Sequence, residues 1–294
     1  MNNKKTWFIT GCDSGMGHAV AKEVLSRGDV VILTARDLAN VQLLVEAYPD
    51  RTFAYQLDVT DHERVAHVVA QAETASGGID VLLNNAGYGV LGAAEETSPQ
   101  EYRPLFEVNF FGLVEVTRAV LPYMRARGAG HIFNTSSLGG YAASAGFAFY
   151  AASKFAVEGY SDALKQEVAS LGIEVMVLEP GSFRTLFAGA SMRLTASEIA
   201  AYVGTPIDIT RRRIEERNGH QPNDPVRLAQ VLFRLARSRR LPLRLPLGED
   251  AVIRVRTRIA ETIAELDHWE PLAHTVAFDH PTGSPLDVPL GAST

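Results

Sequence analysis

Strand-like and helix-like segments alternate from residue 6 to residue 181, and this order constrains the fold more than any other feature. Short apolar runs rich in β-branched residues recur as TWFIT, DVVILTA, TFAYQLDV, IDVLLNNAG, GHIFNTSS and IEVMVLEPG. Amphipathic patterns at helical spacing lie between them. Continuous apolar strands indicate burial on both faces, as in a parallel sheet between two layers of helices. The pattern predicts an α/β fold with a doubly wound parallel sheet.

The alternation ends near residue 186, and no linker splits the chain into two domains. Residues 186–224 are irregular or helical in pattern, and DPVRLAQVLFRLARS predicts a helix. The prolines of LPLRLPLG suit an edge strand. We therefore expect a single domain over residues 1–270, followed by a C-terminal tail over residues 271–294 that is rich in proline and glycine.

Composition narrows the classes of partner. The formal net charge is −6, which gives no support for nucleic acid or a membrane surface as a partner. The basic runs TRRRIEER and RSRRLPLR are expected to be solvated faces. Cys12 is the only cysteine, and the histidines are scattered, so we expect neither a disulfide nor a metal site. The apolar stretch at the N-terminus is too short for a signal peptide or membrane span, so a cytoplasmic location is expected.

Three glycines follow the first predicted strand. In TWFITGCDSGMGHAV, Gly11, Gly15 and Gly17 separate that strand from the first predicted helix. Glycine allows a tight turn and a close approach of the backbone to a pyrophosphate, while the helix N-terminus supplies amide donors. The position of this loop predicts nucleotide binding, and we include its other members, Asp13, Ser14 and Met16.

The spacing T-G-x-x-x-G-x-G resembles that of the short-chain dehydrogenase/reductase family, and the resemblance extends from about residue 5 to residue 185. It implies a Rossmann fold and a nicotinamide cofactor. Asp58 and Val59 match the family's residues beside the adenine, and Asn84 matches a residue that steadies the central sheet. By the same resemblance the remaining cofactor contacts are Asn85, Ala86, Gly87, Tyr150, Lys154, Pro180, Gly181, Phe183 and Thr185, with Lys154 as a ligand of the ribose.

The end of the second predicted strand bears on the choice between NADP and NAD. An acidic residue is typical there of proteins that bind NAD, but this chain has Ala35 followed by Arg36. An arginine can hold a 2′-phosphate with two charge-assisted hydrogen bonds. Asp13 and Asp37 argue the other way. NADP is therefore expected as the preferred cofactor, and NAD remains possible.

Tyr150 and Lys154 lie one helical turn apart in FYAASKFAVEG, so their side chains are expected on the same face of a helix. A nearby ammonium group favours the phenolate and lowers the pKa of a tyrosine, as suits a general acid or base. The resemblance assigns these roles to the pair. It also makes Ser137 the clamp for the substrate oxygen and Asn109 the support of a water relay to the lysine; Ser136 is expected to bond to backbone.

The family resemblance implies hydride transfer between the nicotinamide and a carbonyl or alcohol carbon. Apolar residues around the predicted site favour an apolar ketone, aldehyde or secondary alcohol, bound partly by a segment over residues 183–224. The expected wall consists of Tyr88, Leu91, Leu138, Tyr141, Phe147, Phe183, Leu186, Phe187 and Met192.

Two alternatives remain open from the sequence: a catalytically silent NADP-binding regulator, and an epimerase or dehydratase of the same family. TGCDSG and SLGG look like the hydroxysteroid and retinol dehydrogenase branches. Relatives pair through the helices over residues 101–127 and 150–170, which implies a homodimer or homotetramer.

Overall fold

The computed structural model describes residues 4–278. The strands are β1 (Thr6–Ile9), β2 (Val30–Ala35), β3 (Thr52–Gln56), β4 (Val81–Asn84), β5 (Gly89–Leu91), β6 (Gly130–Thr135), β7 (Ile173–Pro180), β8 (Met192–Leu194) and β9 (Arg244–Leu247). The α-helices are α1 (Gly15–Ser26), α2 (Gln42–Ala47), α3 (His62–Ser76), α4 (Pro99–Phe106), α5 (Leu113–Arg127), α6 (Ala148–Val168), α7 (Pro206–Arg217), α8 (Pro225–Leu235) and α9 (Glu249–His274).

Seven strands form one parallel sheet in the order β3-β2-β1-β4-β6-β7-β9. The chain builds outward from β1 to β3 and then crosses to β4 on the other side of β1. This reversal opens a crevice at the carboxyl ends of β1 and β4, the place where open α/β sheets bind ligands. The predicted doubly wound Rossmann fold is confirmed.

The central strands are buried on both faces, as their continuous apolar runs predict. Trp7 and Ile9 pack into one core layer, with α1, α2 and α8, whereas Phe8 packs into the other, with α3, α5 and α6. Every residue of β1 and β2 is buried. Burial of this kind on both faces fixes the sheet, and with it the positions of the loops at its carboxyl edge.

The elements after β7 follow the sequence in part. The helix expected over residues 224–238 is present as α8, and β9 is the predicted edge strand, pairing with β7 alone. The segment expected to be irregular or helical also contains β8, which pairs with β5 in a separate two-stranded parallel sheet. Three residues are too few for a period-two pattern to be recognised.

Helix α9 extends to His274, so the first residues of the expected tail are helical, and residues 279–294 of that tail lie outside the described residues. Among the helices of residues 4–278, none combines the length and the apolar character needed to cross a membrane.

Candidate active site

A cleft with a volume of about 910 Å³ opens at the carboxyl edge of the sheet. It extends from the glycine loop and the ends of β2 and β3 to the segment between β7 and α7. The volume lies in the range of pockets that bind small molecules and cofactors. The expected cofactor contacts that line it are Gly11, Asp13, Ser14, Gly15, Met16, Arg36, Asp58, Val59, Asn85, Ala86, Gly87, Tyr150, Lys154, Pro180, Gly181, Phe183 and Thr185.

The glycine loop forms a tight turn into α1. Gly11 and Gly15 have φ values of 69° and 59°, a region that favours glycine. The N-cap residue Ser14 makes no side-chain capping bond, and the first turn of α1 holds no acidic residue. The first-turn amides of α1 are therefore available to an anion, as nucleotide binding requires.

Gly17 does not line the cleft, although the sequence places it among the cofactor contacts. It packs behind the loop, where a Cβ atom would lie 2.3 Å from the carbonyl oxygen of Gly11 and 2.5 Å from Nδ2 of Asn85. The third glycine of the motif therefore permits close packing between the turn and α1, and its contribution to a nucleotide site is indirect.

Polar side chains join the ends of β1 and β4. The hydroxyl of Thr10 accepts from the backbone amides of Asn85 and Ala86, at 2.9 and 3.0 Å. Nδ2 of Asn85 donates to the carbonyl oxygens of Thr10 and Gly11. Asn84 donates instead to Thr117 and Asn134 inside the protein, so it steadies the sheet as the resemblance implies.

Arg36 lines the cleft at the end of β2, and none of the ion pairs within residues 4–278 includes it. Asp37 accepts a hydrogen bond from the amide of Ala39 at 3.0 Å and caps the following 3₁₀ turn, Leu38–Val41. Asp58 accepts from the amide and hydroxyl of Thr60. The carboxylate next to Arg36 is thus engaged locally, and the guanidinium group remains free to bind a ligand anion.

Ser137, Tyr150 and Lys154 lie next to one another in the cleft. Ser137 follows β6 and accepts from the amide of Gly139, which fixes the 3₁₀ turn Leu138–Gly140. Burial raises the pKa of Tyr150 to about 12, and the hydrogen bond with Ser137 acts in the opposite direction. Ser136 donates to the carbonyl oxygen of Lys154 at 3.3 Å, so its expected bond to backbone is confirmed.

Lys154 is buried beside Tyr150, with Nζ at 5.9 Å from the centroid of the ring. Nζ donates to the carbonyl oxygen of Thr135 at 2.9 Å. Burial lowers the pKa of Lys154 to about 8, against the opposing effect of the Glu158 carboxylate. The expectation of a lowered phenol pKa is wrong for the protein alone, because the effect of burial on the pKa of Tyr150 outweighs that of the hydrogen bond with Ser137.

Asn109 lies in a π-helical turn, Glu107–Gly112, between α4 and α5. Such turns are frequent at functional sites. The residue is buried behind Tyr88 and does not line the cleft: Oδ1 accepts from the Tyr88 amide, and Nδ2 donates to the Tyr88 carbonyl and to Ser153. Its amide group thus holds the backbone of Tyr88 in place.

The segment after β7 is held by Asp250, which the sequence did not single out. Asp250 accepts from the amide of Ser182 at 2.7 Å and from Nδ2 of Asn223 at 2.8 Å. A Cβ atom on Gly181 would lie 2.3 Å from Oδ1 of Asp250. The β-carbon of Thr185 lies 3.5 Å from the point that a Cβ atom on Gly15 would occupy, so this segment faces the glycine loop across the cleft.

An apolar wall surrounds Tyr150. Phe147 and Phe187 lie 5.8 and 5.5 Å from its ring, measured between centroids. The residues expected in this wall that do line the cleft are Tyr88, Leu138, Phe147, Phe183, Leu186 and Phe187.

Three expected members of the wall are corrected by the structure. Leu91 and Met192 belong to the β5–β8 sheet and do not line the cleft. Tyr141 does not line it either: the 3₁₀ turn ends at this residue, and Ala142 takes the place at the cleft. The short elements that contain these residues decide which of them reach the cleft, and an apolar sequence pattern does not indicate this.

Four arginines at the cleft were not identified as site residues from the sequence: Arg103, Arg193, Arg213 and Arg217. Arg213 and Arg217 belong to TRRRIEER, which was expected only to be solvated; they are exposed and also line the cleft. The position of α7 across the cleft depends on tertiary packing, so the charge run alone did not reveal this placement. Within residues 4–278, no group of three or more His, Cys, Asp or Glu side chains is arranged to hold a metal ion.

The sequence pattern of the short chain dehydrogenase family matches residues 5–193, which include the glycine loop, Ser137, Tyr150 and Lys154. The chain belongs to the short-chain dehydrogenase family. It is 40% identical over 273 residues to the oxidoreductase BOA17 of Botryotinia fuckeliana, covering 92% of this chain and 98% of that protein. It is 32% identical over 290 residues to the oxidoreductase YusZ of Bacillus subtilis, covering 94% and 99%.

Solved structures of this short-chain dehydrogenase family share the fold. A short-chain dehydrogenase from Streptomyces avermitilis superimposes with a TM-score of 0.88 at 42% identity, covering 94% of this chain and 100% of that one. A family member from Burkholderia phymatum in complex with NAD superimposes with a TM-score of 0.77 at 25% identity, covering 89% and 95%. The chain is thus an oxidoreductase of a family whose members bind NAD or NADP.

Proposed function

We propose that the protein transfers a hydride between NADP(H) and an apolar ketone, aldehyde or secondary alcohol, with Tyr150 as the general acid and base. One observation carries the proposal: Ser137, Tyr150 and Lys154 converge in the same cleft as the free N-terminus of α1. The three side chains can transfer a proton to or from the substrate oxygen, and the N-terminus of α1 can hold a phosphate of the dinucleotide.

In the reduction direction, Tyr150 donates its proton to the oxygen of the carbonyl group. Its pKa of about 12 keeps the phenol protonated at neutral pH, as an acid requires. Ser137 donates a hydrogen bond to the same oxygen as negative charge develops there. In the oxidation direction the phenolate is needed, and the raised pKa makes it the less accessible form in the protein alone.

Lys154 holds the charge that stabilises the phenolate after proton transfer. Its bond to the Thr135 carbonyl fixes Nζ near the ring, and its buried position limits screening of that charge by water. Both amide protons of Asn109 already donate hydrogen bonds. Its side chain can therefore bind a relay water only by accepting a second hydrogen bond at Oδ1. We retain that role as part of the proposal.

The cofactor's nicotinamide supplies or accepts the hydride when it is bound. The first-turn amides of α1 would hold the pyrophosphate, and Arg36 would hold a 2′-phosphate. The free guanidinium group of Arg36 and the local engagement of Asp37 both support NADP over NAD. The segment over residues 183–224 would bind the substrate, since its Phe187 lies against Tyr150 and its Leu186 lines the same cleft.

A homodimer is also proposed. Phe111 and Phe155 lie on the helices through which relatives pair, and 44% and 47% of their surfaces are exposed. Large exposed aromatic side chains are enriched at protein interfaces. Light scattering after gel filtration should give twice the monomer mass, and Phe155→Glu should reduce it to that of the monomer. A monomeric parent protein would contradict the proposal.

The function is tested by following NADPH and NADH oxidation with a panel of apolar ketones and aldehydes. Turnover that is faster with NADPH and lost in Tyr150→Phe would support the proposal. Tight binding of NADPH by calorimetry, without turnover of any compound in a broad panel, would contradict the catalytic assignment and favour a silent binding protein.

A further inference from the structure

The cleft is lined by four arginines besides Arg36. Arg103 on α4, Arg193 on β8, and Arg213 and Arg217 on α7 all line it. None of the four forms an ion pair with an acidic side chain of residues 4–278. A chain with a net charge of −6 thus places several cations without ion-pair partners in this cleft, and Arg193, Arg213 and Arg217 belong to the segment over residues 183–224 that is expected to bind the substrate.

The arginines of α7 have different surroundings. Arg211 forms ion pairs with Glu96 and Asp208, at 2.7 and 3.5 Å, and attaches the helix to the body of the protein. Arg213 and Arg217 are one turn apart and line the cleft together with Thr210 and Ile214. Like charges at this spacing destabilise a helix slightly. An anion bound between the two side chains would remove this repulsion.

Arg193 brings a positive charge close to the reacting group. Its guanidinium carbon lies 4.5 Å from the centroid of the Tyr88 ring, and Tyr88 packs in one apolar cluster with Phe187 and Tyr150. The hydroxyl oxygen of Tyr88 is buried and has no hydrogen-bond partner among the described residues. The Arg193 guanidinium group over the ring forms no ion pair or side-chain hydrogen bond within residues 4–278, so its donors are available to an anion in the cleft.

We propose that the substrate is an anionic amphiphile: an apolar chain with a ketone or alcohol that reacts at Tyr150 and with a carboxylate or phosphate bound by the arginines. Arginine suits this task because its planar fork binds either anion with two hydrogen bonds. The aromatic residues Tyr88, Phe147 and Phe187 around Tyr150 hold the apolar part. This inference rests on the proposed function and specifies its substrate class.

The preference for a negatively charged substrate is tested with pairs of ketones that share an apolar chain. NADPH oxidation is followed with 9-oxodecanoate, with its methyl ester, and with the phosphate monoester of 10-hydroxydecan-2-one; 5-oxohexanoate and 7-oxooctanoate vary the distance to the anion. We expect kcat/KM for the best anion to exceed that for its neutral counterpart by about tenfold or more. The carboxylate and phosphate arms identify which anion the arginines prefer.

Variants of α7 test whether its arginines cause the preference for anionic over neutral substrates. Arg213→Gln and Arg217→Gln should each raise KM for the anion by about three- to tenfold and leave kcat/KM for the methyl ester within about twofold. Arg212→Gln is the matched control, because Arg212 is exposed on the same helix and does not line the cleft. Equal kcat/KM for acid and ester, or equal losses for both in the variants, would overturn the inference and leave the proposed function intact.

Calorimetry separates this inference from the reaction itself. If no ketone is reduced, the proposed function fails, but binding of 9-oxodecanoate and its ester in the presence of NADPH still reports on the arginines. Binding of the acid about tenfold tighter than that of the ester, with the difference lost in Arg213→Gln/Arg217→Gln, would support an anion site. Equal affinities would refute it.

Discussion

Replacing Gly17 by alanine tests whether the glycine loop and α1 are packed as tightly as the structure indicates. The new Cβ atom would lie 2.3 Å from the Gly11 carbonyl oxygen, whereas ordinary contacts begin at 3.4 Å, so the turn must move by about 1 Å. Asn85 cannot yield freely, because its Nδ2 donates to two backbone carbonyls. We expect overpacking to cost about 1–3 kcal/mol, offset by about 1 kcal/mol from the better helix propensity of alanine.

The measurements are the melting temperature and the Kd for NADPH, from nucleotide fluorescence. The net loss of about 0–2 kcal/mol should lower the melting temperature by up to about 8 °C. The displaced loop should raise Kd by about tenfold or more, since about 1 Å of misplacement is costly at such sites. Gly159→Ala is the matched control: it lies in α6 with no atom of the same protomer within 4 Å of the added Cβ, so it should stabilise the protomer by about 0.5–1 kcal/mol, and gel filtration checks that it leaves the proposed dimer intact. If Gly17→Ala also raised the melting temperature and left Kd within about twofold, the steric account would be refuted.

Three further predictions concern charged groups of the cleft. Reduction should slow as pH rises through about 8, because Lys154 then loses its proton. In Lys154→Arg this fall in rate above pH 8 should be absent, because arginine stays protonated. If the variant showed the same pH profile as the parent protein, Lys154 would not be the cause of the fall. Arg36→Ala should lower kcat/KM for NADPH by about ten- to hundredfold and leave NADH within about threefold, and equal losses would contradict a 2′-phosphate contact. Asp250→Asn should raise KM for the nucleotide by about tenfold, because it weakens the bond from the Ser182 amide that holds the segment after β7; an unchanged KM would show that the segment is held by other contacts.

The fold was predictable because the central strands are buried on both faces and therefore carry continuous apolar runs. The glycine loop was predictable for a related reason: Gly11 and Gly15 adopt positive φ, so the backbone demands that residue type. The convergence of Ser137 and Tyr150 follows from the sheet, since a strand end and the start of the next helix meet at one edge.

The remaining features depend on tertiary packing that no local pattern encodes. The pKa of Tyr150 was expected to fall, but burial by residues distant in sequence raises it to about 12. Arg213 and Arg217 were expected to face water. They also line the cleft because α7 lies across it, and that placement depends on tertiary packing. Asp250 has no motif, and its role appears only when the start of α9 packs against Gly181.

The measurement that tests the central claim most directly is transfer of deuterium in a single turnover. The protein is mixed with NADPH deuterated at C4, on one face and then on the other, and with decan-2-one or 9-oxodecanoate, whichever is reduced faster. We predict deuterium on the former carbonyl carbon from only one of the two labelled cofactors, and a rate at least about a hundredfold lower in Tyr150→Phe. Reduction without label in the product from either labelled cofactor, or an unchanged rate in that variant, would contradict hydride transfer assisted by Tyr150.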